Sequence, residues 1–184
     1  MIIGLTGYIG SGKGTVVEIL NKLGFSSVTF SDILREELRN KGIEITRDAL
    51  RDTGNKIRLQ EGNEALAIRI IDKIKEQGGK YWVIDGFLNP GEIQEFRQFK
   101  DFILLGISAD LEVRFERLSK RGREKDSKDF EEFKKVDARD RGVGEEEHGL
   151  QRGTCFKMAD AYIMNNGTVK ELEGKIKKFV GAFD

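Results

Sequence analysis

MIIGLTGYIGSGKGT, residues 1–15, contains the clearest structural signal in the sequence. It opens on an apolar run that is long enough for a buried strand and too short for a buried helix. Four glycines and Lys13 follow within eight residues, and residues 16–25 then carry apolar side chains at helical spacing. Strand, glycine-rich loop and helix, in this order, are the setting that a phosphate-binding loop requires.

The glycine-rich loop matches the pattern G-x-x-x-x-G-K from Gly7 to Lys13. Backbone N–H groups, a helix N-terminus and a mobile ammonium group all favour bound phosphate. The common form has a hydroxyl directly after the lysine, whereas Gly14 stands there and Thr15 follows. We therefore expect Thr15 to reach magnesium through water. The expected phosphate-binding positions are Gly7, Ile9, Gly10, Ser11, Gly12, Lys13, Gly14 and Thr15.

Length and composition narrow the class of protein. The 184 residues suit one domain, and 32 basic residues balance 32 acidic ones. Zero net charge argues against a non-specific nucleic-acid binder, and a single cysteine excludes an intrachain disulfide. No run reaches the length of a membrane span, and the first residues lack a signal-peptide pattern. We expect a cytoplasmic monomer or weak dimer without nucleic-acid or membrane partners.

Short apolar runs that alternate with helical patterns predict a parallel sheet. We expect an α/β fold of three layers, in which five parallel strands are flanked by helices. The predicted strands cover residues 1–5, 27–30, 81–85, 101–108 and 161–165. Ligands bind beyond the C-terminal ends of such strands. The loops at those ends begin at Gly7, Ser31, Asp85, Ser108 and Asn165.

The helical regions carry start and stop signals. Ser31 or Asp32 is expected to cap the helix after the second strand. Thr46 is expected to cap a long helical region, which Gly54 and Gly62 are expected to break into pieces.

Acidic and basic residues follow the second and third strands. Asp85 ends the third strand, where an acid in phosphate-loop enzymes orders magnesium, often through water, beside the acceptor. Asp32 and Arg35 begin the expected acceptor-binding segment, residues 31–77, and are candidates to hold an acceptor's hydroxyl and phosphate. The alternatives are local ones: a carboxylate that caps the next turn, a helix cap and a solvated arginine.

Arginines cluster after the fourth strand. Arg114, Arg117 and Arg121 share one helical face by spacing, and Arg123 follows them. Arginines aimed at a transferred phosphoryl group stabilise its charge, so Arg117, Arg121 and Arg123 are candidate catalytic residues. The alternative is a solvated basic face.

Residues 121–129 are polar, contain Gly122 and have no apolar face, and glycines at 142 and 144 follow the next helical pattern. We expect residues 121–141 to form a short lid that closes over bound nucleotide and brings Arg121 and Arg123, with Arg139 and Arg141 as further candidates, toward the phosphates. The alternative is a rigid charged surface helix. After the fifth strand, the backbone at Asn165 and Gly167 is a candidate contact for a nucleobase, although such a sequence is also an ordinary turn.

GYIGSGKGT, SDILREEL, VIDGF, RLSKRGR and ADAYIMNNGT together resemble the nucleoside monophosphate kinase group of P-loop kinases, over nearly the whole chain. GKGT and SDILR resemble adenylate kinases, in which the arginine that matches Arg35 contacts the acceptor phosphate. The first and last stretches also resemble dephospho-coenzyme A kinases. The overall order of motifs resembles small archaeal kinase-like ATPases. The resemblance implies a P-loop NTPase fold with a lid, and ATP and Mg²⁺ as cofactors.

Two departures leave the acceptor open. Asn89 stands where adenylate kinases usually have an arginine, and Asp32 stands alone where dephospho-coenzyme A kinases usually carry an acid pair. The sequence predicts ATP-dependent phosphoryl transfer to a small phosphorylated acceptor, first a nucleoside or deoxynucleoside monophosphate. The alternatives are a dephospho-coenzyme A kinase and, from another class, a nucleotide-binding switch or slow ATPase that acts on a protein partner.

Overall fold

The computed structural model describes residues 1–121, 129–144 and 146–183, without the side chain of residue 47. Its centre is a five-stranded sheet with the order β2-β3-β1-β4-β5, in which all neighbouring strands are parallel. The predicted parallel α/β fold is therefore confirmed. The strands are β1 (Ile2–Gly7), β2 (Ser26–Thr29), β3 (Trp82–Asp85), β4 (Phe102–Ser108) and β5 (Ala161–Met164).

Helices cover both faces of the sheet, as the alternating pattern predicted. Over the described residues they are α1 (Lys13–Lys22), α2 (Phe30–Asn40), α3 (Arg47–Glu61), α4 (Ala65–Gln77), α5 (Pro90–Phe96), α6 (Leu111–Arg121), α7 (Phe130–Asp140), α8 (Arg152–Lys157) and α9 (Val169–Val180). No described helix is long and apolar enough to span a membrane.

Successive side chains of β1 point to opposite faces of the sheet and so divide the core into two layers. Ile2 packs in one cluster with residues of α2, α4 and α5. Ile3 and Leu5 pack in the other with residues of α1 and α9. Every residue of β1 is buried, since strands pair with it on both sides. The glycine-rich loop therefore extends from a fully buried strand inside the sheet.

The start of α2 differs from the prediction. Thr29 is the N-cap, in place of Ser31 or Asp32. The Thr29 hydroxyl accepts a hydrogen bond from the Asp32 N–H at 3.0 Å, and the Asp32 carboxylate accepts one from the Thr29 N–H at 3.1 Å. This reciprocal capping box satisfies two N–H groups at once, which favours the earlier start.

The long helical region begins after Thr46 and is interrupted at Gly62, as predicted, but it is not interrupted at Gly54. Thr46 caps α3, because its hydroxyl accepts a hydrogen bond from the Ala49 N–H at 3.0 Å. Gly62 ends α3 with a φ of 108°. Gly54 was expected to break the helix, but α3 continues through it.

Half of the predicted lid corresponds to α7, whose inner face buries Phe133, Asp137 and Asp140. Gly122 and Arg123 lie outside the residues that the structure describes. Closure of residues 121–141 over a nucleotide stays a prediction.

Candidate functional site

The glycine-rich loop joins β1 to α1 and ends at Gly12, the N-cap of α1, in the left-handed region with a φ of 98°. A side chain at Gly12 would also collide with the amide of Asn165. No side chain caps α1, and its first turn carries no acid. The first N–H groups of the helix and the positive end of its dipole are therefore available for phosphate oxygens.

Lys13 folds back over the loop that precedes it. Its ammonium group donates hydrogen bonds to the carbonyl oxygens of Gly7 at 2.8 Å and Tyr8 at 3.3 Å. Burial, followed by repulsion from Arg152, lowers the pKa of Lys13 to about 8, although Asp85 pulls it upward. A bound phosphate would reverse this balance, because it would place negative charge against the ammonium group.

Two buried oxygens at the loop have no hydrogen-bond partner among the described residues: Ser11 Oγ and Asp85 Oδ1. Burial raises the pKa of the Asp85 carboxyl, with Lys13 acting in the opposite direction. A buried carboxylate oxygen left without a donor fits a site for hydrated Mg²⁺, to which half-buried Thr15 would add a hydroxyl. The described residues hold no cluster of three or more acidic, histidine or cysteine ligands. Phosphate oxygens and water would therefore complete such a site.

Arg117, Asn165 and Gly167 meet beside the loop. Arg117 Nη2 donates to the Gly167 carbonyl at 3.1 Å, while its buried Nη1 has no partner among the described residues. Asn165 Nδ2 donates to the Ser11 carbonyl at 2.9 Å. Arg117, which was predicted to bind phosphate, therefore lies with Asn165 and Gly167, which were predicted to contact a nucleobase, next to the loop that leads into α1.

The other predicted arginines are distributed differently. Arg121 ends α6 with an exposed side chain, and Arg139 is exposed on α7. Arg114, which was predicted to share a face with Arg117 and Arg121, is 1% exposed and donates to the Asp137 carboxylate at 2.6 and 3.1 Å. It also donates to the Ile9 carbonyl at 3.0 Å, so it ties the loop to α7. Arg114 therefore supports the loop from behind.

Asp32 and Arg35 pair with each other at 3.0 Å. Their side chains are 49% and 39% exposed, and Asp32 also belongs to the capping box of α2. The local alternative is thus realised for Asp32, and acceptor binding by either residue stays a prediction.

The sequence reasoning missed Arg152 and Asp140. Arg152, the first residue of α8, donates from Nη1 to the Gly7 carbonyl at 2.9 Å and pairs through Nη2 with Asp140 at 3.6 Å. Its buried Nε has no partner among the described residues. No spacing pattern links Arg152 with the loop. The one feature of the sequence that could have identified Arg152 is its position in the last helical segment before the final strand.

Comparisons with known proteins agree with this geometry. The sequence model of the AAA domain family matches residues 6–134. The structure resembles a shikimate kinase from Bacteroides thetaiotaomicron, with a TM-score of 0.60, 14% identity and 98% coverage of both chains. It also resembles the shikimate kinase from Acinetobacter baumannii in complex with shikimate, with a TM-score of 0.56, 17% identity and coverage of 100% of this chain and 94% of that one. At such identities the likeness shows the fold.

Relatives in sequence cover nearly the whole chain. The UPF0200 protein PH1008 of Pyrococcus horikoshii is 39% identical, over 98% of this chain and 96% of the relative. A UPF0200/UPF0201 protein of Archaeoglobus fulgidus is 35% identical over 97% of this chain, which spans 54% of that relative. Fold and loop define a kinase-like P-loop NTPase, a class that binds nucleotides. The chain belongs to the AAA domain family and to the UPF0200 family.

Proposed function

We propose that this chain is an ATP-dependent phosphotransferase that acts on a small phosphorylated acceptor. The proposal rests on one observation: two cationic side chains donate hydrogen bonds to the same carbonyl oxygen. Lys13 Nζ and Arg152 Nη1 both donate to the Gly7 oxygen, at 2.8 and 2.9 Å. Burial first, and then the repulsion between these cations, lowers the pKa of Lys13, and a phosphoryl group between them would relieve the repulsion.

The loop residues would bind the nucleotide. The N–H groups of the loop and of α1 would hold the β- and γ-phosphates, with Lys13 following the transferred group. The backbone at residues 165 and 167 would contact the base. Arg117, Arg121 and Arg123 remain candidates to cover the γ-phosphate. Mg²⁺, held through water by Asp85 and Thr15, would neutralise phosphate charge.

The transfer step exchanges one phosphorus–oxygen bond for another. The acceptor oxygen bonds to the γ-phosphorus while the bond to the bridging oxygen of the leaving ADP breaks. A nucleoside monophosphate would react through an ionised phosphate oxygen, whereas an acceptor that reacts through a hydroxyl, as dephospho-coenzyme A would, must lose a proton. We assign that proton to Asp140, a buried carboxylate that pairs with Arg152 at 3.6 Å. Arg152 would stabilise the charge that develops on the transferred group.

The identity of the acceptor is proposed from sequence resemblance, which is a weaker signal than the geometry of the loop. The resemblance of SDILREEL and GKGT to adenylate kinases favours a nucleoside or deoxynucleoside monophosphate, and dephospho-coenzyme A is the alternative. A nucleotide-binding switch or slow ATPase with a protein partner is the candidate from another class. One observation favours it: the Archaeoglobus fulgidus relative carries two family names and is spanned by this chain over 54% of its length.

The test is ADP release by wild-type protein and by Lys13→Ala, with and without a panel of acceptors. Lys22→Ala, an exposed lysine of the same helix, is the matched control. We expect an acceptor to stimulate ADP release by the wild type and the control, and Lys13→Ala to lose transfer while keeping its circular-dichroism spectrum. Full kinase activity in Lys13→Ala would refute the assignment. ATP hydrolysis that no acceptor stimulates would favour the switch.

A further inference from the structure

A cavity of about 170 Å³ lies beside the phosphate-binding loop. It opens between α2 and α3, and Asp140 and Arg152 form its inner side. Arg152 also donates to the Gly7 carbonyl of the loop, as Lys13 does. A molecule in this cavity would therefore lie next to the γ-phosphate, where an acceptor must sit for transfer.

Gly54 forms part of the cavity wall and explains why α3 carries a glycine at its middle. Glycine inside a helix costs about 1 kcal/mol relative to alanine, so its presence calls for a local reason. A Cβ at this position would lie 3.4 Å from both Leu34 Cδ1 and Arg58 Nη1. Any longer side chain would enter the cavity. The glycine that failed to break the helix keeps the space open.

The cavity presents positive charge to a ligand. Arg152 Nε is buried and has no hydrogen-bond partner among the described residues. Arg51 pairs only loosely, with Asp48 at 3.3 Å and Asp52 at 3.2 Å, and those carboxylates are 78% and 69% exposed. Exposed pairs of this kind are weak, so Arg51 can exchange them for a ligand's anion. The cavity therefore suits an anionic group.

Arg58 has a different part in the same wall. Its Nε and Nη2 both donate to Glu92, at 3.0 and 2.7 Å, and both side chains are at most 2% exposed. A pair so deeply buried is costly to separate. Arg58 therefore fixes the size of the cavity, and Arg51 and Arg152 are left for the ligand.

Apart from Ser31, the rest of the wall is apolar and limits the size of a ligand. It consists of Leu34, Leu50, Leu88 and Leu150. A closed cavity of about 150 Å³ holds one benzene molecule, so this partly open space takes about six to eight non-hydrogen atoms. A nucleoside monophosphate has about 20 or more, so most of it would lie outside this space. The leucines would contact a short carbon skeleton, with its anionic end at the arginines.

We infer that the acceptor is a compact hydroxy anion, either a hydroxy acid or a small sugar phosphate, and that it binds in this cavity. Ser31 provides a hydroxyl to orient its polar end. The inference rests on the proposed phosphotransferase function, because the cavity has meaning as an acceptor site only beside a bound nucleotide. It keeps the transfer of a phosphoryl group from ATP and changes the acceptor, because it places the nucleoside monophosphates outside the substrate class and admits acceptors without a phosphate.

The experiment compares small and large acceptors in an ADP-release assay on the full chain. The small probes are glycerate, glycerol phosphate and phosphoglycerate, and the large ones are AMP, CMP and dephospho-coenzyme A. We expect at least one small probe to stimulate ADP release and the large ones to have no effect. Efficient phosphorylation of a large probe would overturn the inference and leave the proposed function intact. Failure of every probe, with ATP still bound, would overturn both.

Variants test whether the cavity is the site. Gly54→Leu fills it, and Gly174→Leu is the matched control, because a Cβ at this mid-helix glycine of α9 meets nothing within 4 Å. We expect Gly54→Leu to raise the KM of the small acceptor at least about tenfold, while the Kd of ATP changes less than about twofold. Arg51→Gln, at a side chain of α3 that is 27% exposed and lines the cavity, should raise the same KM without a change in fold. Unchanged KM values in both variants would place the acceptor elsewhere and refute the inference.

Discussion

Binding of a nucleotide should take up a proton at alkaline pH, because of the position of Lys13. Without an anion, burial and the neighbouring Arg152 lower the pKa of Lys13 to about 8. A phosphate that contacts the ammonium group favours its charged form and raises this pKa. Lysine that is neutral in the free protein must then gain a proton when the nucleotide binds.

The size of the effect follows from the pKa. With a pKa of about 8, roughly half of the free protein carries a charged Lys13 near pH 8, and about one molecule in ten near pH 9. If the bound lysine stays charged, binding takes up about 0.5 proton near pH 8 and about 0.9 near pH 9. The Kd should accordingly be constant below about pH 7.5 and rise nearly tenfold per pH unit above about pH 8.5.

The lowered pKa of Lys13 also makes the free energy of unfolding depend on pH. The folded pKa of Lys13 lies below the ordinary value of 10.5, so the unfolded chain binds more protons between about 8 and 10.5. In that window the contribution of Lys13 to the free energy of unfolding becomes more favourable as pH rises. Below about pH 8 the buried charge is a constant cost, which a bound phosphate removes.

Isothermal titration with a non-hydrolysable ATP analogue, in buffers of different ionisation enthalpy, measures the proton uptake. Lys13→Arg is the matched control, since an arginine keeps its charge at these pH values and cannot take up a proton. The phosphates of the analogue are already ionised near pH 9. We expect uptake in the wild type and none in Lys13→Arg. Tight binding near pH 9 with less than about 0.2 proton taken up, or equal uptake by both proteins, would refute the reasoning.

Two further predictions concern residues around the loop. Arg152→Ala should lower kcat about a hundredfold or more, with a small effect on the Kd of ATP. Arg39→Ala, at an exposed residue of α2, is the control and should have no effect. Steady-state kinetics measure both, and an unchanged kcat in Arg152→Ala would contradict the role of Arg152. Glu92→Ala should lower the free energy of unfolding by about 3–5 kcal/mol, since it leaves the buried charge of Arg58 unpaired, whereas the exposed Gln94→Ala should stay within about 0.5 kcal/mol. Urea denaturation measures both, and a loss below about 1 kcal/mol for Glu92→Ala would show that Arg58 finds another partner.

The sequence was sufficient for features that depend on neighbouring residues. Alternating apolar runs and helical periodicity identified the strands and their parallel arrangement, with strand ends within about two residues. Thr46 and Gly62 marked the ends of α3, because capping and a left-handed φ are local properties. The glycine-rich loop could be read for the same reason, since strand, loop and helix are adjacent in the chain.

The tertiary structure decided which side chains reach that loop. Arg114 lies on the arginine face that the spacing predicted, yet packing against α7 turns it into a buried support for Ile9. Arg152, 145 residues from Gly7, donates to the loop because α8 packs against β1. Gly54 was predicted to interrupt a helix, but in the structure it lies within α3 and lines a cavity. Local patterns depend on a few consecutive residues, whereas contacts across the sheet depend on how separate layers pack, and no spacing in the sequence encodes that.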